Sequence, residues 1–537
     1  MKQIFLYIIL FGTLQVQSQV LFSRVYNVPE DGTGLLNIWP NYLKAVFPTD
    51  TLIYAFGYSA DTTYKEIYGT AFFVFDLNGN LLEYYHIKDS ERYNFFEPEG
   101  IHTWDGITFY TSFSNFSREV SILKFNRISK EQSILEIRNS KIQNGDILRG
   151  NMIATNDGCL VTASDIAFDS TGYNYKIQVT KIDTEGNIKW QIIIGQEPEN
   201  KFSNHCFSTY TDLFGNIYVG IGFNDYSGVG WRGSYQSLFY KLDIDGNTKK
   251  IYTTQLAKEG YNQIYDIAQD SKNWFYLSSD YNWNEPKYPY GNRSYGALQV
   301  LDSNLVYQGS INLVFDSVWT IAPLKSFEKI IRSNDNNGFI IGGQLRQTDS
   351  IITYIDSLNR FDTIRVSHYV LNFFKLNDDK QIEWKRYYRI RNGYDHGWLH
   401  DLKSFPGGGY IIGAQSFEGL AYENFKEPYY MPWLLRVDDD GCLVPGCVTV
   451  SNKEFPNYRD NIFIYPNPAT DYIVILHSGS EKTHYQIVSA EGKIIDDFYS
   501  FIEGEQIIVL VNNFKPGPYF VKAESKSEIS SKVFIKQ

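Results

Sequence analysis

LKSFPGGGYIIGAQSFEGLAYENFKEPYYMPWLLRVDDDGCL, residues 402–443, is the stretch on which the fold turns. A Gly-rich turn, Pro406 to Gly409, precedes an apolar run, Tyr410 to Ala414. A polar loop leads to a second apolar run, Trp433 to Val437, which stops at Asp438-Asp439-Asp440-Gly441. Short apolar runs bounded by Gly, Pro and Asp read as buried strands. Versions of the unit recur upstream. Leu52 to Gly57 pairs with Phe72 to Asp76, Gly106 to Ser112 with Ser121 to Phe125, and Gly158 to Ala163 with Gln178 to Asp183. Asn216 to Gly222 pairs with Leu238 to Asp243, Trp274 to Ser278 with Ala297 to Asp302, and Gly338 to Gly343 with Leu371 to Leu376. Turns at Asn78-Gly79-Asn80, Glu185-Gly186-Asn187 and Asp245-Gly246-Asn247 supply the left-handed residue that a bulged hairpin needs.

Multi-strand units about 50 to 75 residues apart, with no helical pattern between them, predict an all-β chain built on a seven-bladed β-propeller-like repeat domain. One such sheet cannot bury both faces alone; stacked radially, each is covered by two neighbours. Gly57, Ala163, Gly220, Gly342 and Ala414 are small enough for strands crowded near an axis. Two or three separate β-sandwiches are the alternative. The seventh copy stops at Cys442 without its outer strands, whereas Leu21 to Tyr26 (LFSRVY) is similar to the outer segment of the sixth, Trp384 to Arg389 (WKRYYR). The N-terminal strand is therefore expected to complete the last blade. Gln344 to Tyr369 reads as a β-hairpin protruding from blade six.

Composition narrows the function classes. Aromatics make up 17% of the 537 residues against 3 Met, which favours strands over helices. A net charge of −12 repels nucleic acid and anionic membranes, so neither is expected as a partner. Lys2, the apolar run Ile4 to Leu14, and the small residues Val16 and Ser18 read as a signal peptide, residues 1–18. No later run is apolar for long enough to give a transmembrane segment. The remaining division is a repeat domain over 19–447, a polar linker over 448–460, and a module of seven short strands over 461–537 read as a small β-sandwich. In an oxidising compartment, Cys442 and Cys447 flank a Pro-Gly turn and are candidates for a local disulfide. Cys159 and Cys206 fit a bridge or two buried small residues equally.

The terminal module carries Ile464-Tyr465-Pro466-Asn467-Pro468-Ala469-Thr470-Asp471-Tyr472, then Ser489-Ala490-Glu491-Gly492-Lys493. It ends with Phe514-Lys515-Pro516-Gly517-Pro518-Tyr519-Phe520-Val521 and Lys532-Val533-Phe534-Ile535-Lys536. This set resembles the type A sorting domain of the Bacteroidota type IX secretion system. The resemblance implies export through the signal peptide and then the type IX machinery, which becomes the expected partner. It also implies removal of the domain at the outer membrane, and release or surface attachment of the cargo. The sorting-signal positions are Pro466, Asn467, Pro468, Asp471, Gly492, Gly517, Tyr519 and Lys532. A compact module on a polar linker suits recognition and cleavage without disturbance of the cargo.

Candidate chemistry in the repeat domain is sparse. Asp243 to Asn247 is similar to half of a calcium loop, but the twelfth position is Thr254 and offers no carboxylate. No cofactor is expected, with calcium there as the alternative. His396 and His400 are four apart beside Asp401, but the surrounding glycines read as a loop entering a strand. His205 beside Cys206 and His102 near Trp104 stand isolated. Glu97, Glu99 and Asp105 are the candidate acids for glycoside hydrolysis. Tyr281-Asn282-Trp283, followed by Tyr288 and Tyr290, reads as a blade-five loop whose rings suit glycan contact, with Tyr281 and Trp283 foremost. The expected function is a non-enzymatic binding scaffold for a glycan or surface protein. An extracellular polysaccharide hydrolase or lyase is the alternative. N-terminal sequencing of the exported protein is expected to begin at Gln19; retention of Lys2 would contradict the signal-peptide reading.

Overall fold

The computed structural model describes residues 21–26, 38–61, 68–87, 99–114, 120–137, 147–167, 175–195, 202–225, 235–253, 264–283, 293–312, 324–355, 360–391, 396–417, 430–443, 462–477, 482–500 and 505–537. The signal-peptide and linker readings, Cys447, Glu97, Tyr288 and Tyr290 lie outside them. Every regular element among the described residues is a strand.

β1 (Phe22–Val25) comes first in the chain but belongs to the last blade. Blade one is β2 (Ile38–Pro48), β3 (Ile53–Asp61), β4 (Tyr68–Phe75) and β5 (Leu81–Ile87). Blade two is β6 (Glu99–His102), β7 (Thr108–Ser114), β8 (Val120–Asn126) and β9 (Gln132–Glu136). Blade three is β10 (Ile147–Ala154), β11 (Leu160–Ala167), β12 (Tyr175–Ile182) and β13 (Ile188–Ile194). Blade four is β14 (Phe202–Thr211), β15 (Ile217–Asp225), β16 (Tyr235–Leu242) and β17 (Thr248–Thr253). Blade five is β18 (Ile264–Gln269), β19 (Phe275–Trp283), β20 (Arg293–Leu301) and β21 (Tyr307–Asn312). Blade six is β22 (Leu324–Arg332), β23 (Phe339–Ile355), β24 (Arg360–Leu376) and β25 (Ile382–Arg391). Blade seven is β26 (His396–Ser404), β27 (Tyr410–Phe417) and β28 (Tyr430–Val437), with β1 as its fourth strand.

The first strands of the blades touch in sequence, β2, β6, β10, β14, β18, β22, β26 and back to β2, so they form a closed ring around an axis. This corrects one expectation. The apolar runs with small residues are the second strands, and Gly57 and Gly220 lie one strand out from the axis. A Cβ on Gly57 would meet the Tyr42 carbonyl, and one on Gly220 would meet Ser208 and Ile264. The small residues thus make room for the innermost strand and the neighbouring blade. Each innermost strand also breaks register at a β-bulge, for example between Leu43 and Ala45, Ile264 and Asp266, Phe327 and Lys329, and Leu399 and Asp401.

The ring is closed by both ends of the repeat array. Phe22, Ser23, Arg24 and Val25 pair antiparallel with Arg436, Leu435, Leu434 and Trp433. The Trp433 indole donates to the Ser23 hydroxyl at 3.0 Å, and Phe22 is buried with Phe73, Phe75 and Leu434 between blades seven and one. The hairpin in blade six is present as expected, with pairing unbroken from Phe339↔Leu376 to Ile355↔Arg360.

One hairpin turn repeats around the ring. In blades one, three, four, five and seven an Asp side chain accepts the backbone N–H groups two and four residues on, as Asp76 does from Asn78 and Asn80 at 2.8 Å each. The residue three after the Asp has positive φ, Gly79 at 75° and Gly441 at 68° among them. The preceding blade grips this turn. Tyr26 Oη donates to the Gly79 carbonyl at 2.6 Å, Lys124 Nζ to the Thr184 carbonyl at 2.9 Å and Trp190 Nε1 to the Ile244 carbonyl at 2.8 Å. Rings of the preceding blade lie where a Cβ would stand: Phe22 over Gly79, Trp190 over Gly246 and Trp384 over Gly441.

The C-terminal segment forms two facing sheets. β29 (Ile462–Tyr465), β30 (Tyr472–His477) and β33 (Glu505–Leu510) make one. β31 (Thr483–Ser489), β32 (Ile494–Ser500), β34 (Gly517–Glu524) and β35 (Ile529–Lys536) make the other. Their shared core includes Ile473, Ile475, Tyr485, Ile487, Ile507, Val509, Val521 and Phe534. The segment does not stand apart from the propeller. β33 runs parallel to β25, Tyr387↔Glu505 through Arg391↔Val509, so the blade-six sheet continues into the C-terminal sheet. Replacing Phe22 with Ala is expected to cost about 3–5 kcal/mol in denaturant unfolding, because it empties a buried seam. Deletion of residues 20–28 is expected to lower Tm sharply; an unchanged Tm would show that the ring does not rely on β1.

Candidate functional site

The sorting-signal positions are spread over the entry segment, the β31–β32 turn and the terminal hairpin of the C-terminal segment. Asn467 acts as a substitute backbone unit: its Oδ1 accepts the Ile535 N–H at 2.9 Å and its Nδ2 donates to the Val533 carbonyl at 3.1 Å. It sits between Pro466 and Pro468, which fix φ and carry no N–H of their own. The Ala469 N–H donates to the Ile535 carbonyl at 2.8 Å, which ties this segment to the last strand. The Asp471 carbonyl accepts the Val511 N–H at 2.7 Å. Gly492, at φ 83°, closes the β31–β32 turn. Gly517 opens β34, and Tyr519 stacks on Phe534 at 5.4 Å and donates to the Lys515 carbonyl at 2.9 Å. Lys532 pairs with Val521. The motif therefore joins the entry segment to the terminal hairpin. The outward face of the β32-β31-β34-β35 sheet exposes Ile494, Phe520, Val533 and Ile535.

A second polar group lies on the innermost strands where blades five, six, seven and one meet. His400, the bulged residue of β26, contacts Gln415 Oε1 at 3.0 Å and the Tyr42 ring at 4.7 Å. Burial first, and Lys44 second, push its pKa down to about 3, so the ring is neutral. Asp401 accepts the Val46 N–H of the next blade at 2.9 Å, and Asp266 accepts the Ile330 N–H at 3.0 Å in the same manner. Burial raises the Asp266 pKa against the opposing pull of Lys329 and Lys403. Glu328 accepts from Gln344 Nε2 at 2.6 Å and from Trp398 Nε1 at 3.3 Å.

The other candidates are dispersed. Asp243 accepts the N–H groups of Asp245 and Asn247 and an ion pair from Lys249 at 2.7 Å, as a hairpin-turn carboxylate does. No group of His, Cys, Asp or Glu suited to a metal occurs among the described residues. Asp105 accepts the N–H groups of Ile107 and Thr108. His102 packs against Trp104 at 4.4 Å, and burial lowers its pKa. Cys442 is disulfide-bonded, while Cys159 is a free, buried thiol. Two readings are corrected. His396 to Asp401 is strand β26, not a loop, and Tyr281 to Trp283 is the end of β19, not a loop, with Tyr281 opposite Tyr295 and Trp283 opposite Arg293. Both segments carry glycines or polar residues, which obscured a strand.

The comparisons agree with the C-terminal geometry. Residues 463–537 match the family described as the secretion system C-terminal sorting domain. This segment is a type IX sorting domain, and it supports secretion or outer-membrane surface delivery of the chain. No curated protein matches. Similar solved structures include Drosophila semaphorin 2a, at 8% identity over 96% of this chain and 97% of that one, with TM-score 0.41. A Penicillium chrysogenum α-L-arabinanase complexed with arabinobiose is 10% identical over 75% and 96%, with TM-score 0.39. A protein from Bacteroides caccae is 12% identical over 60% and 87%, with TM-score 0.29.

A His held neutral in the fold binds fewer protons than it does unfolded. Its stabilising contribution is complete above its ordinary pKa of 6.5 and is lost as pH falls towards about 3. His400→Gln is expected to flatten this part of the Tm-versus-pH curve; an unchanged curve would remove His400 as the acid-sensitive group.

Proposed function

We propose that the protein is a non-enzymatic binding or scaffold propeller, delivered to the cell surface or the medium by the sorting domain and its type IX machinery. One observation carries the non-enzymatic reading. Three acids and the histidine of the axial cluster are engaged in holding the structure: Asp401 and Asp266 cap N–H groups of neighbouring blades, Glu328 holds Gln344 and Trp398, and His400 is neutral. A catalytic acid and base need a position facing substrate and a pKa matched to proton transfer. A glycan or another surface protein is the ligand class that this reading favours, with Tyr281 and Trp283 on β19 as the first positions to test. For delivery, the exposed face of Ile494, Phe520, Val533 and Ile535 is the surface offered to the machinery.

Two measurements test this. The full exported chain, screened on a glycan array with product analysis of every hit, is expected to bind without cleavage; a cleaved product would overturn the scaffold reading. In a host with type IX secretion, the wild-type chain is expected outside the cell. A chain ending before Ile462 and a folded Phe520→Asp/Ile535→Asp variant are both expected in the periplasm. Export of the truncated chain would remove the sorting domain as the address, and export of the double variant would remove this face as the contact.

A further inference from the structure

We infer that the sorting domain is docked on its own cargo through a surface that exists only once the ring has closed, and that it stays bound there when the linker is cut. The inference rests on the sorting-domain reading. Three separated parts of the propeller build the surface. The first is the outer edge of blade six, where β25 takes β33 as a parallel neighbour over Tyr387 to Arg391. The second is the turn that ends blade seven. Gln506, fully buried, accepts the Leu443 N–H at 2.8 Å and donates to the Gly441 carbonyl at 3.1 Å. The third is the closing strand β1, where Val25 borders the same core as Tyr472.

Alternation along the strands shows that this contact is built into the domain. Ile473, Ile475, Ile507 and Val509 face the sorting domain's own core. Their neighbours Val474 and Ile508 belong to the propeller core with Trp384, Tyr388, Leu443 and Trp433. The β30–β33 layer is therefore covered on both faces, and one of its covers is the cargo. Without β1 in place on β28, that cover is incomplete. Docking thereby couples the address to completion of the fold.

The test uses the full chain with a specific protease site replacing residues 450–456. After cutting at micromolar concentration, the two fragments are expected to co-elute as a one-to-one complex. Ile508→Asp, which changes only the propeller-facing side of β33, is expected to abolish co-elution while hydrogen exchange shows β31 and β34 still protected. Separation of the wild-type fragments would overturn docking. For the closure requirement, Phe22→Asp is expected to abolish co-elution, with exchange confirming that blades two to five remain folded. Val25→Asp, milder because Val25 is only partly buried, is expected to weaken co-elution. If the fragments stay together while the β28 amides exchange freely, dependence on closure is overturned. Export is scored by fractionation, so loss of docking leaves the address reading intact.

Discussion

A stack of sheets has two raw faces until its last member meets its first. Every blade here buries apolar side chains on both sides, and clusters such as Tyr54, Phe72, Phe109 and Phe125 form between adjacent blades rather than within one. The seam between blades seven and one cannot form until the chain returns to its start. β1 makes that return, with a short ladder, the Trp433–Ser23 hydrogen bond and Phe22 in the seam. The Tyr26 latch over the blade-one turn and the placement of the sorting domain both draw on it.

The aspartate-headed turn gives blades one, three, four, five and seven a rigid corner. The carboxylate is filled by two N–H groups of its own turn, which leaves the turn carbonyls pointing outward for the preceding blade's Tyr, Lys or Trp. Environment then sets the charge. Half-buried Asp183 and Asp243 are held well below the usual range, first by the hydrogen bonds from Lys189 and Lys249. Asp438, half-buried in the turn that ends blade seven, is instead pushed up to about 6 by desolvation. Its folded pKa lies above its ordinary 3.8, so its stabilising contribution is complete below that value and fades as pH rises towards about 6. The same turn is thus insensitive to mild acid in one blade and sensitive in another.

Much of the fold is legible in the amino-acid sequence. The second and third strands of each blade announced themselves because they are continuous apolar runs between turn residues, and Leu21 to Tyr26 stood out as a spare outer strand. The innermost strands were not legible. Their bulges break the alternation on which strand reading depends, so His396 to Asp401 passed for a loop. Of the sorting domain, its strands and motif residues were legible, but the bridge that Asn467 makes to the last strand was not, and neither was its docking, although the signal for docking was present. β31 alternates buried and half-exposed residues, as a one-sided strand should, whereas β33 (EQIIVL) is buried almost throughout. The unbroken apolar run Ile507 to Val511 in a small two-sheet module signals a third layer against it. Gln506 gave no cue, because its partners are backbone groups more than sixty residues away.

That two-sided layer bears on how portable the tail is. Grafted onto an unrelated passenger, it would arrive with Tyr472, Val474, Ile508 and the open edge of β33 facing water. An unpaired edge beside an apolar face invites self-association. The last seventy-odd residues are therefore a poor universal tag for surface display: tail and propeller form a matched pair, and a passenger would need to bring the blade-six edge and its neighbouring blade along with it.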